Sequence, residues 1–300
     1  MKKFLLKVAL FFALVVVMDF AFGQFFSLLR AYAKGGSTAN CEYIANLSKD
    51  DIIILGSSRA THHYIPQIIE DSLGVTCYNC GEEGNGIVLA YGRFKMLTNR
   101  YKPKLIIYEI TPGYDYGTAE PNTKYLGYLR QYYAKEGIKN LFHDFDDGLS
   151  SLKMLSLMYQ NTSKLLPNLF DNIVFRDNHK GYSPLYGHME DKGDIYNNDE
   201  KSLAIDSIKL SYVERIILDA QNMGVPIVFV VSPKLGMNNS LLQYQPEMDI
   251  CSRLNVPFYN FLNLEGVSNT ANFFQDKGHL NDEGAKNYTE LLLSTIRDYL

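Results

Sequence analysis

Short apolar runs alternate with segments of helical period along most of this chain. Ile52-Ile53-Ile54-Leu55 follows Asp51 without a polar side chain and stops at Gly56-Ser57-Ser58. A strand that is apolar on both faces must be covered on both, which is the pattern of a buried parallel strand. Val75 to Asn79 reads as a second strand, ending at Gly81-Glu82-Glu83-Gly84-Asn85-Gly86. Lys104 to Ile110 is a third, closed by Thr111-Pro112-Gly113. Val225 to Val231 is a fourth, and Val256 to Tyr259 a short fifth. Helices are expected between them: Ile65 to Leu73, Gly86 to Asn99, Ser202 to Met223, Leu241 to Leu254, and finally Asp282 to Leu300.

Strand–helix alternation of this kind predicts an α/β fold, a flavodoxin-like three-layer α/β/α sandwich on a five-stranded parallel sheet. Ligands of such sheets bind beyond the carboxyl ends of the strands. Chemistry is therefore expected just after Leu55, Asn79, Ile110 and Val231. The rhythm lapses between about 122 and 200, first into helical patterning and then, from Arg176 to Glu200, into a polar loop. That stretch reads as a helical insertion capping the sheet edge, and excursions of such length are usually functional lids or disordered segments.

The first thirty residues differ from the rest. Lys2, Lys3 and Lys7 precede Val8 to Met18, which has no polar residue; Asp19 interrupts, and Phe20 to Leu29 is again mostly apolar. Two readings fit: a signal-anchor transmembrane helix over Val8–Leu29, or a signal peptide with Ala21-Phe22-Gly23 as its cleavage site. Both leave the lysines in the cytoplasm and the folded part exported, on the periplasmic or extracellular side. The expected organisation is residues 1–30 as anchor or signal peptide, 31–50 as linker, and 51–300 as one domain carrying the insertion.

Composition narrows the choice of partner. A formal net charge of −4 over 300 residues, with no basic run past the N-terminus, gives no field for nucleic acid. The four cysteines include Cys77-Tyr78-Asn79-Cys80, but this pair closes a strand where a redox pair opens a helix. Buried thiols are expected, or a structural disulfide if the domain is exported. His62-His63 lacks further ligands at metal spacing, so neither a metal nor a cofactor is expected.

The chemistry-bearing residues are few. Ser58, directly after an apolar strand and at the start of a helix, is placed as a nucleophile, with backbone N–H groups aimed where an oxyanion would develop. The competing reading is that Ser57 or Ser58 only caps that helix. A serine needs a base, and the base an orienting group. Asp276 and His279, three apart before the last helix, can supply both: Asp276 on Nδ1, leaving Nε2 for Ser58.

Together these segments resemble the SGNH, or GDSL-like, hydrolase family, over about Asp51–Asn122 and Ser202–Leu300. Gly56-Ser57-Ser58 matches the family's G-D-S with Ser in the middle position. Asn79-Cys80-Gly81-Glu82-Glu83-Gly84 matches its second block, which makes Gly84 the oxyanion-hole glycine. Asp276 and His279 match its D-x-x-H. The third block, G-x-N-D, is not matched: Thr111-Pro112-Gly113-Tyr114-Asp115 stands there without an Asn. Tyr114, Asn85 or Arg59 are the candidates to stand in for the lost donor. The resemblance implies a serine-dependent esterase or O-acyltransferase acting on acyl esters of envelope glycans, acetyl above all. The unmatched block leaves the alternative of a non-catalytic polysaccharide-binding or assembly protein on the same fold.

Overall fold

The computed structural model describes residues 1–119, 122–145, 150–163, 165–173, 179–190 and 203–300. Its centre is a five-stranded, all-parallel sheet built from β1 (Ile52–Gly56), β2 (Cys77–Asn79), β3 (Leu105–Glu109), β4 (Ile227–Val231) and β5 (Phe258–Asn260). The strand order is β2-β1-β3-β4-β5, as in flavodoxin-like sheets, whose order reverses between β1 and β3.

Alternate strand residues feed two separate cores. Ile53, Leu55, Ile106, Tyr108, Phe229 and Val231 point into one, shared with helices Ile87–Thr98, Ser207–Asn222 and Gln245–Arg253. Ile52, Ile54, Leu105, Ile107, Val228 and Val230 point into the other, against helices Ser58–His63, Pro66–Leu73 and Asp282–Ile296. Period-2 side chains buried on both faces make the three layers and account for the unbroken apolar runs. The helix ends follow ordinary chemistry. Asp206 accepts from the N–H groups of Ile208 and Lys209, and Asn281, not its neighbour Asp282, accepts from Gly284.

One expectation changes and one narrows. The connector between 33 and 50 is helical over Gly36–Glu42 and Tyr43–Leu47 and belongs to the fold. Ile44 and Ala45 are buried, Tyr43 packs on Tyr78 with ring centroids 4.4 Å apart, and Arg100 donates to the Ile44 carbonyl. A polar composition hid this short amphipathic seal. The inserted helices Asn122–Leu129 and Ile138–Phe145 cover helix Ile87–Thr98 within the first core, and a later stretch of the same insertion reaches the sheet edge. The edge at β2 is met by residues 179–183, where a β-carbon on Gly181 would lie 1.9 Å from the Asn79 carbonyl oxygen. The base of the insertion is tied by Asp206 N–H to the Tyr116 carbonyl, 2.7 Å, and Thr118 N–H to the Ala204 carbonyl, 3.2 Å. The polar loop expected over Arg176 to Glu200 lies outside the described residues except for 179–190.

Helix Lys2–Ala31 is long and apolar enough to cross a membrane, and within it only Gly23 is buried. All four cysteines are buried, and no disulfide joins them.

Candidate active site

Gly56 ends β1 with φ +143°, in the range open to glycine, and a β-carbon there would lie 2.5 Å from the Glu109 carbonyl oxygen. The chain can turn sharply only because that side chain is absent, and Ser58 then opens a six-residue helix. Ser57 makes no capping hydrogen bond. The Ser58 hydroxyl instead meets His279 Nε2 at 2.7 Å, across 221 residues of sequence.

The other side of the His279 ring faces a carboxylate. Nδ1 lies 2.9 Å and 3.0 Å from the two Asp276 oxygens. A carboxylate accepts only, so Nδ1 carries the proton and Nε2 is left to accept from Ser58. Asp276 Oδ1 also receives the N–H groups of Gly278 at 2.8 Å and His279 at 2.9 Å. Partial burial pushes the Asp276 carboxyl up, but the hydrogen bonds from the His279 ring and these N–H groups outweigh it and hold the group below its ordinary range. The D-x-x-H turn thus closes on itself and fixes the ring before any ligand arrives.

Gly84 adopts φ +65° in the loop after β2. The space beside its α-carbon is open except for the Lys124 ammonium, 3.9 Å from where a β-carbon would stand. Lys124 belongs to the inserted helix Asn122–Leu129, and no motif pointed to it. Asn85 is buried, donates to the Glu83 carbonyl at 2.8 Å and shapes the same loop. Tyr114 is half-buried against the first core, and its carbonyl backs onto Gly86, where a β-carbon would meet it at 2.4 Å.

Arg59 does not join the group around Ser58. It is buried, 2.9 Å from the fully buried Glu109 carboxylate, and it donates to the Ile110 carbonyl at 2.5 Å. Glu109 in turn accepts from the Tyr64 hydroxyl and from the hydroxyl of Ser232 at 2.8 Å. His63 completes this array. Its Nε2 accepts the N–H of Leu280 at 3.0 Å, so its Nδ1–H faces the Ser232 oxygen at 2.7 Å. Burial, with the Arg59 cation beside it, holds the His63 pKa well below the ordinary histidine value and keeps the ring neutral. Since Leu280 follows His279, this buried array ties the helix of Ser58, β3, β4 and the His279 turn into one support.

His62, on the same helix, is also buried, its ring centroid 5.8 Å from that of His279. It bridges the Ser183 carbonyl at 2.6 Å and the Glu83 carboxylate at 3.1 Å. The hydrogen bond from His62 holds the Glu83 carboxyl below its usual range. Sequence reasoning weighed His63 only as a metal ligand and did not single out Glu109, because a buried polar partner can be recognised only once the strand ends are brought together. Removing Glu109 would leave Arg59 an uncompensated buried cation. Glu109→Ala should therefore lower folding stability by about 3–5 kcal/mol, read as a lower denaturant midpoint at unchanged slope.

Among the described residues, no cluster of three or more His, Cys, Asp or Glu could hold a metal ion.

No family model matches the chain. No curated protein matches it either. Among solved structures it is similar to that titled "Crystal Structure of TesA", at TM-score 0.44 and 10% identity, covering 83% of this chain and 99% of that one. It is also similar to a protein from Lactobacillus plantarum, at TM-score 0.42 and 12% identity over 85% and 100% of the two chains. A third is a protein described as lipolytic, of the G-D-S-L family, from Desulfitobacterium hafniense DCB-2, at TM-score 0.38 and 11% identity over 83% and 99%.

Proposed function

We propose that the protein is a membrane-anchored serine esterase or O-acyltransferase, acting outside the cytoplasm on acyl, chiefly acetyl, esters of glycans. The observation that carries this reading is the 2.7 Å approach of the Ser58 hydroxyl to His279 Nε2, with Asp276 on the far nitrogen. A packing histidine has no need of both partners in that order.

In this reading Ser58 Oγ attacks the ester carbonyl as His279 Nε2 takes its proton. The tetrahedral oxyanion rests on the backbone N–H groups of Ser58 and Gly84. Collapse breaks the bond to the alcohol, which leaves with the proton from Nε2. An acyl group remains on Ser58 until a second hydroxyl attacks with the same base. Water as that acceptor makes an esterase, and a sugar hydroxyl a transferase. Anchoring rests on helix Lys2–Ala31, and export on the lysines that precede its apolar run.

One observation favours a second reading, a polysaccharide-binding protein without turnover. The turn Pro112–Asp115 after β3 offers no side-chain amide where the resemblance calls for an Asn donor. One missing donor costs about 2.7–4 kcal/mol of transition-state stabilisation, which slows an enzyme of this kind without silencing it. The two readings part on p-nitrophenyl acetate and on an acetylated polysaccharide. The enzyme releases acetate from either and loses that ability in His279→Ala. Glycan binding that survives His279→Ala, with no ester turned over by the wild type, would establish the second reading.

A further inference from the structure

Asp19 stands in the middle of an apolar helix where a bare carboxylate is costly. It is not bare. Its oxygens accept the Ser156 hydroxyl and the N–H groups of Leu157 at 2.9 Å and Met158 at 3.3 Å. Asp19 therefore caps inserted helix Leu157–Asn161 from another element, meeting the positive end of its dipole. One turn further along the same face, Gly23 lets the two backbones touch: a β-carbon there would lie 2.5 Å from Leu157 Cβ. The docking continues to the end of the long helix, where Arg30 donates to Asn161 Oδ1 at 2.5 Å and Asn172 to the Leu29 carbonyl at 2.6 Å.

Depth follows from helix geometry. At about 1.5 Å per residue, Asp19 lies roughly 18 Å beyond Lys7 and roughly 16 Å short of Arg30. A hydrocarbon layer about 30 Å thick, bounded near these two basic residues, contains Asp19 well inside it. Whatever is bonded to Asp19 shares that depth.

The bonded segment is dressed for such a place. Leu152, Leu155, Met158, Leu169, Phe170 and Ile173 are all exposed, Leu155 by 77% and Ile173 by 81%. A recess of about 420 Å³ between the two elements is lined by Val15, Met18, Asp19, Phe22, Phe26 and Met158. The turn between the short helices leaves little backbone unpaired. Leu155 N–H and Ser156 N–H bond to the Leu152 and Lys153 carbonyls at 3.1 Å, and the Gln160 side chain bonds to the Met154 carbonyl at 2.7 Å. That pairing is what backbone needs in lipid. Lys153 is exposed on this segment, and its long stem can carry the ammonium toward the headgroups.

We propose that residues 150–163 and 165–173 form a second membrane element, seated against the anchor in the half of the bilayer nearer the folded domain, with phospholipid acyl chains as the occupant of their exposed apolar face. This rests on the reading of Lys2–Ala31 as a membrane span. It makes the insertion a seat that holds the Ser58 domain against the membrane surface, in place of a tether that lets it swing.

The test uses the full chain in phosphatidylcholine–phosphatidylglycerol vesicles whose acyl chains carry nitroxide quenchers. A nitrobenzoxadiazole dye is attached at Leu155→Cys or Ile173→Cys, with Val16→Cys on the anchor and Leu291→Cys on the domain as references. All of these positions are exposed, and the four native thiols are buried. Dyes at 155, 173 and 16 should be quenched severalfold more than the dye at 291. Quenching at 16 but only domain-level quenching at 155 and 173 would overturn the second element and leave the anchor standing. Quenching at none of the positions would overturn both.

Discussion

Ser58→Ala and His279→Ala should each lower kcat for an aryl acetate by roughly 10⁶-fold, and the double variant should be no slower than either single one. The reasoning lies in the shared proton. With the hydroxyl gone, His279 has nothing to activate; with the imidazole gone, Ser58 keeps a proton that nothing nearby can take. The 2.7 Å contact makes the two groups one functional unit, so their effects overlap instead of adding. Steady-state rates on matched, folded proteins check this, with circular dichroism to show that the sheet is intact. Effects that multiply in the double variant would mean that the two side chains work separately. The residual rate should be the same in all three variants, set by backbone donors and binding alone.

Asp276→Asn should be the next largest loss, on the order of 10³-fold in kcat with little change in KM. Asparagine can offer Nδ1 an amide N–H where the carboxylate offered lone pairs, so the ring would settle in the wrong tautomer with its proton on Nε2, facing Ser58. A buried orienting carboxylate is worth about 10⁴-fold. Asp276 is half-exposed, so water can replace part of its effect, hence the smaller figure. Its carboxyl is held low by the His279 ring and the Gly278 and His279 N–H groups, against the lift of partial burial. The charge that stabilises the imidazolium is therefore already present above pH about 4, the ordinary carboxylate range. A pH–rate profile of the wild type should show no limb from this group at neutral pH. A kcat for Asp276→Asn within a few-fold of the wild type would remove it from the proton path.

The sheet was legible in the chain because burial on both faces writes itself as unbroken Ile and Val runs. All five strands fall on the stretches the pattern marks, with ends that differ by up to two residues: β2, β3 and β4 are shorter than marked, and β1 and β5 each run one residue further, to Gly56 and Asn260. The position of Ser58 was legible for the same reason, since Gly56 and the end of the Ile52–Leu55 run fix where the chain must turn. Arg59 is offered by the sequence as a stand-in oxyanion donor because it is a charged residue directly beside the nucleophile. Its partner Glu109 sits inside an apolar strand, and only strand pairing brings the two within 2.9 Å. The helical segment 36–47 escaped notice because its anchoring contacts are long-range, the Tyr43 ring on Tyr78 and the Ile44 carbonyl accepting from Arg100, and leave no local period. Asp19 was read as a defect in an apolar run. Its partners, Ser156 to Met158, lie more than 130 residues away and carry no motif.

The central claim, that Ser58 is a nucleophile activated through His279, is tested most directly by covalent capture. The intact protein is treated with a fluorophosphonate, its mass measured, and the modified peptide located by fragmentation. The account predicts one adduct per chain, on Ser58, absent in Ser58→Ala and sharply slowed in His279→Ala. Equal labelling of the wild type and Ser58→Ala, or an adduct mapped to another residue, would contradict it.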